Sequence, residues 1–220
     1  HRIVGDSSIL AMPEVGIGLV PDVGGTLILS RAQGRVGEYL GVTGARMTGA
    51  DAIYAGFADY YIPEADWPAL ISELCESADY GLVDQAAAGH SAPAAPLAAL
   101  QAEIDHHFGG ETLRDLLNAL EFSDSDFAKS TLAEMGKKSP LSMACTVELV
   151  HRARLRDTIE NALEQEYRFT SHAVEKADFL EGVRAQIIDK DRNPNWMHSS
   201  PRDVPPAMVA SLLLPLGPRA

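Results

Sequence analysis

The chain has 220 residues, a length that suits one domain, or a small domain with appendages. Its hydrophobic content of 46% and charged content of 22% are ordinary for a globular protein and argue against wholesale disorder. With 31 acidic and 18 basic side chains, the formal net charge is −13. This charge argues against unaided binding to nucleic acid and against docking on an anionic membrane surface.

The first half of the sequence has the pattern of an α/β core. Short apolar runs separated by glycine and proline indicate buried strands or loops within residues 1–30. The predicted elements are a strand at Ser8–Met12, a helix that begins after Gly24-Gly25, a helix from Val36 to Val42 closed by Gly44, a helix from the N-cap Thr48 to Ala55, a strand at Phe57–Ile62, and a helix at Trp67–Ser77 capped by Asp66.

The second half is predicted to be nearly all helix. Asp157 with Glu160, and Asp178 with Glu181, have the spacing of a capping box. The predicted helices cover residues 112–122, 125–135, 139–154, 158–175 and 179–189. We divide the chain into a core part at 1–90, a helical region at 91–192, and a proline-rich tail at 193–220 that either wraps around the fold or extends from it.

The cysteines and the apolar runs bear on the cellular compartment. Cys75 and Cys145 fit no metal spacing and no disulfide framework, so we expect both to be reduced core residues of an intracellular protein. The sequence contains no run of 18 or more apolar residues, so no membrane span is predicted. The first residues lack the pattern of a signal peptide. The histidines are not spaced as metal ligands, so no metal site is predicted.

Two acids stand out between Ala11 and Thr26. Glu14 and Asp22 are the only charged side chains between Asp6 and Arg31. Acids in such apolar, glycine-rich surroundings are expected to be partly desolvated, and desolvation raises the pKa of a carboxyl group toward the range that is useful in acid–base or nucleophilic catalysis. Each acid follows a proline, which predicts rigid turns.

The glycines that follow Asp22 have their own significance. Gly24-Gly25 ahead of a helix lets the backbone approach a ligand and points N–H groups toward it. Structural roles explain the acids equally well at this stage. Asp22 could cap the helix that begins near Gly24, and Glu14 could pair with Arg31.

Residues 11–25 carry a family resemblance. The motif A-M-P-E-x-x-I-G-L-x-P-D-V-G-G of the crotonase (enoyl-CoA hydratase/isomerase) superfamily matches them almost letter for letter. Residues 40–58, 137–140, 166–168 and 178–191 also resemble segments of this family. Within the family, the chain looks most like the branch of 3-hydroxyisobutyryl-CoA hydrolases, because general enoyl-CoA hydratases typically carry glycine where Asp22 stands.

The resemblance implies a fold. We expect the later part of a crotonase-like α/β spiral of β–β–α turns at residues 1–90, followed by the helical region, with helix dominant and little sheet. It also implies that an N-terminal segment of the same gene product is a partner of this chain. That segment would supply the two backbone N–H groups that hold the thioester oxyanion, and the 220 residues alone would be inactive.

The resemblance implies a reaction as well. It is the hydrolysis of a short 3-hydroxyacyl-CoA thioester, 3-hydroxyisobutyryl-CoA, to the free acid and CoA, as in valine breakdown. Glu14 would act as base or nucleophile and Asp22 would bind the substrate hydroxyl. Gly24, Gly25 and Lys190 would contact the substrate, with Lys190 near the CoA phosphates. No cofactor is expected beyond the CoA of the substrate.

Two alternatives remain open. The chain could belong to an enoyl-CoA hydratase or isomerase, in which Glu14 shuttles a proton with a second acid on the N-terminal segment. It could instead belong to a non-catalytic CoA-binding or assembly subunit, associating through its amphipathic helices, for example as a homotrimer. The expected location is the bacterial cytoplasm, or the mitochondrial matrix if the source is eukaryotic.

Overall fold

The computed structural model describes residues 1–217 and divides into two compact units. The first unit comprises His1–Ala11 and Arg46–Ala102, and the second comprises Met12–Ala45 and the residues from Glu103 onward. The units interleave along the chain, whereas the sequence-based boundaries near residues 91 and 193 followed changes in composition. Residues 12–45, which carry the acid motif, belong to the second unit.

The secondary structure is dominated by helix, as the sequence predicted. The strands are β1 (Ile3–Val4), β2 (Ile9–Leu10), β3 (Met47–Thr48) and β4 (Tyr60–Tyr61). The α-helices are α1 (Gly25–Arg31), α2 (Val36–Thr43), α3 (Gly49–Tyr54), α4 (Trp67–Ser77), α5 (Gly81–Ala87), α6 (Pro96–Ala99), α7 (Gln101–His107), α8 (Leu113–Glu121), α9 (Asp126–Met135), α10 (Pro140–Leu155), α11 (Ile159–Lys176), α12 (Phe179–Val183) and α13 (Pro206–Leu212). None of the helices within residues 1–217 is both long and apolar enough to cross a membrane.

The first unit contains the strands. β1 pairs with β4 in parallel, and β2 pairs with β3 in antiparallel register. Helix α3 begins with a capping box in which the Thr48 hydroxyl accepts from the Asp51 N–H and the Asp51 carboxylate accepts from the Thr48 N–H. The side chains of Val4, Ala52 and Ala58 form a buried cluster in this unit. The predicted strands and the predicted Thr48 cap are therefore present, with shorter strands than expected.

The second unit is built around helices α1, α2, α10 and α11. One apolar cluster of this unit joins α10 and α11 to the C-terminal part of the chain and consists of Val20, Leu141, Cys145, Leu149, Phe169, Ala173, Val204, Leu212 and Leu213. Of the two outcomes expected for the proline-rich tail, wrapping is the one observed, because helix α13 and Val204 contribute buried side chains to this cluster.

Two local expectations are wrong. Thr158, and not Asp157, caps α11, since the Thr158 hydroxyl accepts from the Asn161 N–H while Asp157 pairs with Arg31 at 2.7 Å. Cys145 is buried as expected, but Cys75 is exposed. Cys75 lies on the outer side of α4, whose buried residue is Leu70.

A buried ionic cluster joins α2 to α10. The Glu38 side chain is fully buried and accepts hydrogen bonds from Arg35 at 2.9 Å, from Arg154 at 2.7 Å and from His151 at 3.2 Å. Burial alone raises the pKa of Glu38, but the hydrogen bond from His151, the charge of Arg154 and the hydrogen bond from Arg35 together outweigh it and lower the pKa.

We expect Glu38→Gln to lower the free energy of unfolding by about 2 kcal/mol at neutral pH, because it leaves the arginines partly buried without their acid. A carboxyl group whose folded-state pKa is lowered stabilises the fold above its ordinary pKa and loses this effect as the pH falls. The difference between variant and wild type should therefore shrink on acidification, as measured by urea unfolding. The exposed ion pair between Glu134 and Lys137 offers a control, since Glu134→Gln should change stability by less than about 0.5 kcal/mol.

Candidate active site

Glu14 begins a single tight turn of 3₁₀ helix, Glu14–Ile17. The Gly16 N–H donates to the Pro13 carbonyl at 2.8 Å, and the Leu19 N–H donates to the Glu14 carbonyl at 3.0 Å. Gly18 ends the turn in the left-handed region with φ 77°, where a side chain is strained. The rigid turn predicted from Pro13-Glu14 is therefore confirmed.

The backbone of this turn packs directly against the backbone that leads into α12. A Cβ on Gly182 would lie 2.1 Å from the Ile17 carbonyl oxygen, and one on Gly18 would lie 2.4 Å from the carbonyl carbon of Asp178. On another side, the Ser139 N–H donates to the Val15 carbonyl at 2.9 Å. The backbone of the Glu14 turn is therefore held by two sets of contacts. One is the close packing that Gly18 and Gly182 allow, and the other is the hydrogen bond from Ser139.

Asp178 reinforces this support. Its buried carboxylate accepts from the Ser139 hydroxyl at 2.6 Å and from the Met197 N–H at 2.8 Å. The capping box predicted between Asp178 and Glu181 is not formed, since Glu181 pairs with Arg184 at 2.7 Å. Asp178 therefore bonds to residues distant in the sequence and not to its own helix. Its hydrogen bond with Ser139 connects the start of α10 to the start of α12.

Asp22 lies at the entrance to α1, in a turn with an unfavourable backbone. Val23 has φ 56° and Gly24 has φ 84°. A positive φ is rare for a β-branched residue such as valine, and strain of this kind persists only where the surrounding structure enforces it. The Gly25 N–H donates to the Asp22 carbonyl at 2.8 Å, while the N–H groups of Gly24 and Thr26 donate to Glu166. The capping role considered for Asp22 is therefore not observed.

The surroundings of the two acids raise their pKa values, as the sequence predicted. For Glu14 the main cause is burial, and the negative charges of Asp22 and Glu166 act in the same direction. Burial also raises the pKa of Asp22. Oxygen Oε2 of Glu14 is buried and has no hydrogen-bond partner among residues 1–217. The ion pair considered between Glu14 and Arg31 is absent, because Arg31 pairs with Asp157.

The carboxylate of Glu166, on α11, accepts from N–H groups at the start of α1, where the sequence predicted a ligand. The Gly24 N–H donates to its Oε2 at 2.8 Å and the Thr26 N–H donates to its Oε1 at 3.0 Å. The Gly25 N–H is used by Asp22, so the donors of Gly24 and Gly25 both have partners within the chain. The two glycines also have no open space beside them, since a Cβ on Gly24 would lie 2.8 Å from Cδ1 of Ile159 and one on Gly25 would lie 2.7 Å from Cε of Met12.

The sequence contained a signal for Glu166. Buried residues of α11 recur with helical spacing at Ala162, Glu166, Phe169 and Ala173. An acid on the apolar stripe of an amphipathic helix needs a polar partner in the core. This position was noted only as part of a family match, so its role at the site was missed.

The positions of two lysines, Lys190 and Lys138, differ from what the sequence suggested. Lys190, proposed for CoA phosphates, lies on an exposed turn after a π-helical segment at Arg184–Ile188, with φ 56°. Lys138, which the sequence did not single out, is half-buried, and burial lowers its pKa. Its ammonium lies 3.8 Å from where a Cβ on Gly44 would be, and Pro13 contacts the same point. Lys138 is thus beside the turn that carries Glu14.

The chain belongs to the enoyl-CoA hydratase/isomerase family, whose model matches residues 1–213. It is similar to an enoyl-CoA hydratase structure from Rhodobacter sphaeroides, at 53% identity and a TM-score of 0.92, covering 99% of this chain and 62% of that one. The crotonase-like α/β fold expected from the sequence is therefore confirmed.

The curated relatives carry different names. Mitochondrial 3-hydroxyisobutyryl-CoA hydrolase from Rattus norvegicus is 34% identical over 99% of this chain and 59% of its own length. Small ribosomal subunit protein mS47 from Arabidopsis thaliana is 32% identical over 97% of this chain and 55% of its own length. The chain thus spans less than two thirds of the relatives it matches.

Because the Glu14 turn packs against α12, adding one methyl group at Gly182 should strongly reduce the stability of the fold. Gly182→Ala should lower the free energy of unfolding by about 2 kcal/mol, because the new Cβ overlaps the Ile17 carbonyl and must push the turn away. Gly16→Ala, in the same turn but with open space around the new Cβ, should change it by less than about 0.5 kcal/mol. Equal stabilities of the two variants in urea unfolding would contradict this packing.

Proposed function

We propose that this chain provides the acid pair of an enzyme that hydrolyses a short 3-hydroxyacyl-CoA thioester, 3-hydroxyisobutyryl-CoA, to the free acid and CoA. The observation that carries the proposal is the buried, unpartnered Oε2 of Glu14 beside a second acid, Asp22. A carboxylate oxygen with no partner in the fold is available to a water molecule or a substrate atom. The hydrolase names among the curated relatives support the same reaction.

Glu14 has two routes to thioester cleavage. As a general base, it takes a proton from water while the water oxygen bonds to the thioester carbonyl carbon; the C–S bond then breaks, and the CoA thiolate leaves and is protonated. As a nucleophile, its carboxylate attacks the carbonyl carbon and expels the thiolate, and water then hydrolyses the mixed anhydride. A raised pKa suits the first route, because it makes the ionised carboxylate a stronger base.

Asp22 distinguishes the proposed substrate from a plain acyl chain. Its carboxylate is partly buried and does not cap α1, so it is free to accept a hydrogen bond from the 3-hydroxyl group. In this proposal the substrate contacts the turn that contains Gly24 and Gly25. Lys190 meets the phosphates of CoA from its exposed position, and the CoA of the substrate is the only cofactor-like group required.

The remaining parts of the proposal concern the complete protein. Its N-terminal segment supplies the oxyanion donors, and the helical region of this chain supports homo-oligomerisation. The location follows the relatives named mitochondrial when the source is eukaryotic, and is the cytoplasm when it is bacterial.

The other two functions each have a specific observation in their favour. The 53% identity to a protein described as an enoyl-CoA hydratase favours hydration of an enoyl-CoA, with Glu14 as the proton carrier. The similarity to a ribosomal subunit protein favours an assembly role without catalysis. The fold is common to all three, so only the chemistry of the site separates them.

Substrate assays on the complete protein separate these functions. With 3-hydroxyisobutyryl-CoA we expect release of free thiol, and with crotonyl-CoA little loss of the enoyl absorbance. Glu14→Gln should reduce thiol release by at least about 100-fold, because it removes the base or nucleophile. Asp22→Gly should also impair cleavage. Faster turnover of crotonyl-CoA would favour the hydratase, and CoA binding with no turnover would favour the assembly protein.

The raised pKa of Glu14 predicts the pH dependence of the reaction. The working form of Glu14 is ionised, so kcat/KM should fall as the pH drops through a pKa above the ordinary glutamate value of about 4.3. In Asp22→Asn the neighbouring charge is gone, and the residual activity should fall at a lower pH than in the wild type. An acid limb at the same pH in both proteins would show that Asp22 does not act on Glu14 through its charge.

A further inference from the structure

A third carboxylate lies beside the proposed acid pair. Glu166 is only 2% exposed, and its two oxygens receive hydrogen bonds from the Gly24 N–H, the Thr26 N–H and the Thr26 hydroxyl. Both oxygens accept from backbone N–H groups, which is the arrangement of an ionised carboxylate. Helix α11 thus places a fixed negative charge at the first turn of α1.

The turn that Glu166 holds is the strained one. Residues 22–24 connect Asp22 to α1, with positive φ at Val23 and Gly24. Helix α11 contacts this turn at a second point, since a Cβ on Gly24 would lie 2.8 Å from Cδ1 of Ile159. Two residues of one helix therefore enforce the backbone conformation that positions Asp22.

The charge of Glu166 also reaches Glu14. The titratable groups around the Glu14 turn are Asp22 ahead of α1, Glu166 on α11, Asp178 at the start of α12 and Lys138 before α10. Among them, Asp22 and Glu166 act on the carboxyl group of Glu14, and both raise its pKa. The backbone of Asp178 packs against the turn at Gly18, and the ammonium of Lys138 lies 3.8 Å from where a Cβ on Gly44 would be.

We propose that Glu166 is a positioning residue of the active site, which holds the Asp22 turn in its strained conformation and places a fixed negative charge beside Glu14. The inference rests on the proposed function only in that Glu14 is the reacting group. Glu166 itself does not touch the substrate, because both of its oxygens are occupied by the turn. Its two effects, on geometry and on charge, can be measured separately.

The first experiment removes the charge. In the complete protein, Glu166→Gln should shift the acid limb of the kcat/KM profile to lower pH by about 0.5 to 1 unit, since one negative charge near Glu14 is lost. It should also lower kcat, because an amide cannot accept from both N–H donors. The matched control is Glu175→Gln, which removes a charge from an exposed position of the same helix and should leave the limb in place.

The second experiment keeps the charge and removes one contact. Thr26→Val deletes the hydroxyl that donates to Glu166 while the acid remains. We expect a lower kcat and an acid limb at the wild-type pH. This variant also serves if Glu166→Gln does not fold. A limb that moves equally in both variants would overturn the proposal, because the shift would then come from general disturbance of the turn.

A substrate-free measurement separates this inference from the proposed function. The ¹³C carboxyl resonance of Glu14, assigned by its loss in Glu14→Gln, reports the titration of Glu14 in protein without substrate. It should titrate at lower pH in Glu166→Gln than in the wild type and in Glu175→Gln. An unchanged titration would overturn the role of Glu166 even if thiol release is observed. A shifted titration without thiol release would support it and contradict the hydrolase.

Discussion

The crowding of negative charge around one buried carboxyl group shapes the candidate site. Burial, Asp22 and Glu166 all raise the pKa of Glu14, and Arg31, the partner considered for Glu14, is paired with Asp157. Each of these effects makes ionised Glu14 less stable and therefore more basic. An arrangement of this kind reduces the stability of the fold, so other contacts must hold it in place.

Those contacts are mostly between backbone segments. The turn that carries Glu14 lies directly on the start of α12, because Gly18 and Gly182 have no side chains to keep the two apart. Ser139 and Asp178 secure the same region through a buried hydrogen bond. Side chains hold the Asp22 turn instead, through Glu166 and Ile159 of α11. The two acids thus rest on different supports, and α11 and α12 are as important to the site as the residues that carry the chemistry.

Membership of the enoyl-CoA hydratase/isomerase family establishes the fold, but the relatives are named as hydrolases, as a hydratase and as a ribosomal protein. A shared fold permits this range, since function depends on the groups placed at the site. In this chain the distinguishing group is Asp22. It is partly buried, has a raised pKa and has no structural task as a cap, which agrees better with a role toward substrate than with a role in the fold.

The sequence by itself determined those features that depend on neighbours along the chain. The Thr48 cap, the end of α2 at Gly44 and the rigid turn at Glu14 follow from local backbone chemistry. The desolvation of Glu14 and Asp22 follows from the apolar residues around them. The tertiary structure decided where distant partners compete with local ones. Asp157 pairs with Arg31 and Asp178 accepts from Ser139, so neither forms the cap that was predicted for it. Glu166 accepts from the N–H groups at the helix N-terminus that was expected to bind a ligand. Local pattern cannot foresee these exchanges, because the competing groups meet only when the helices pack.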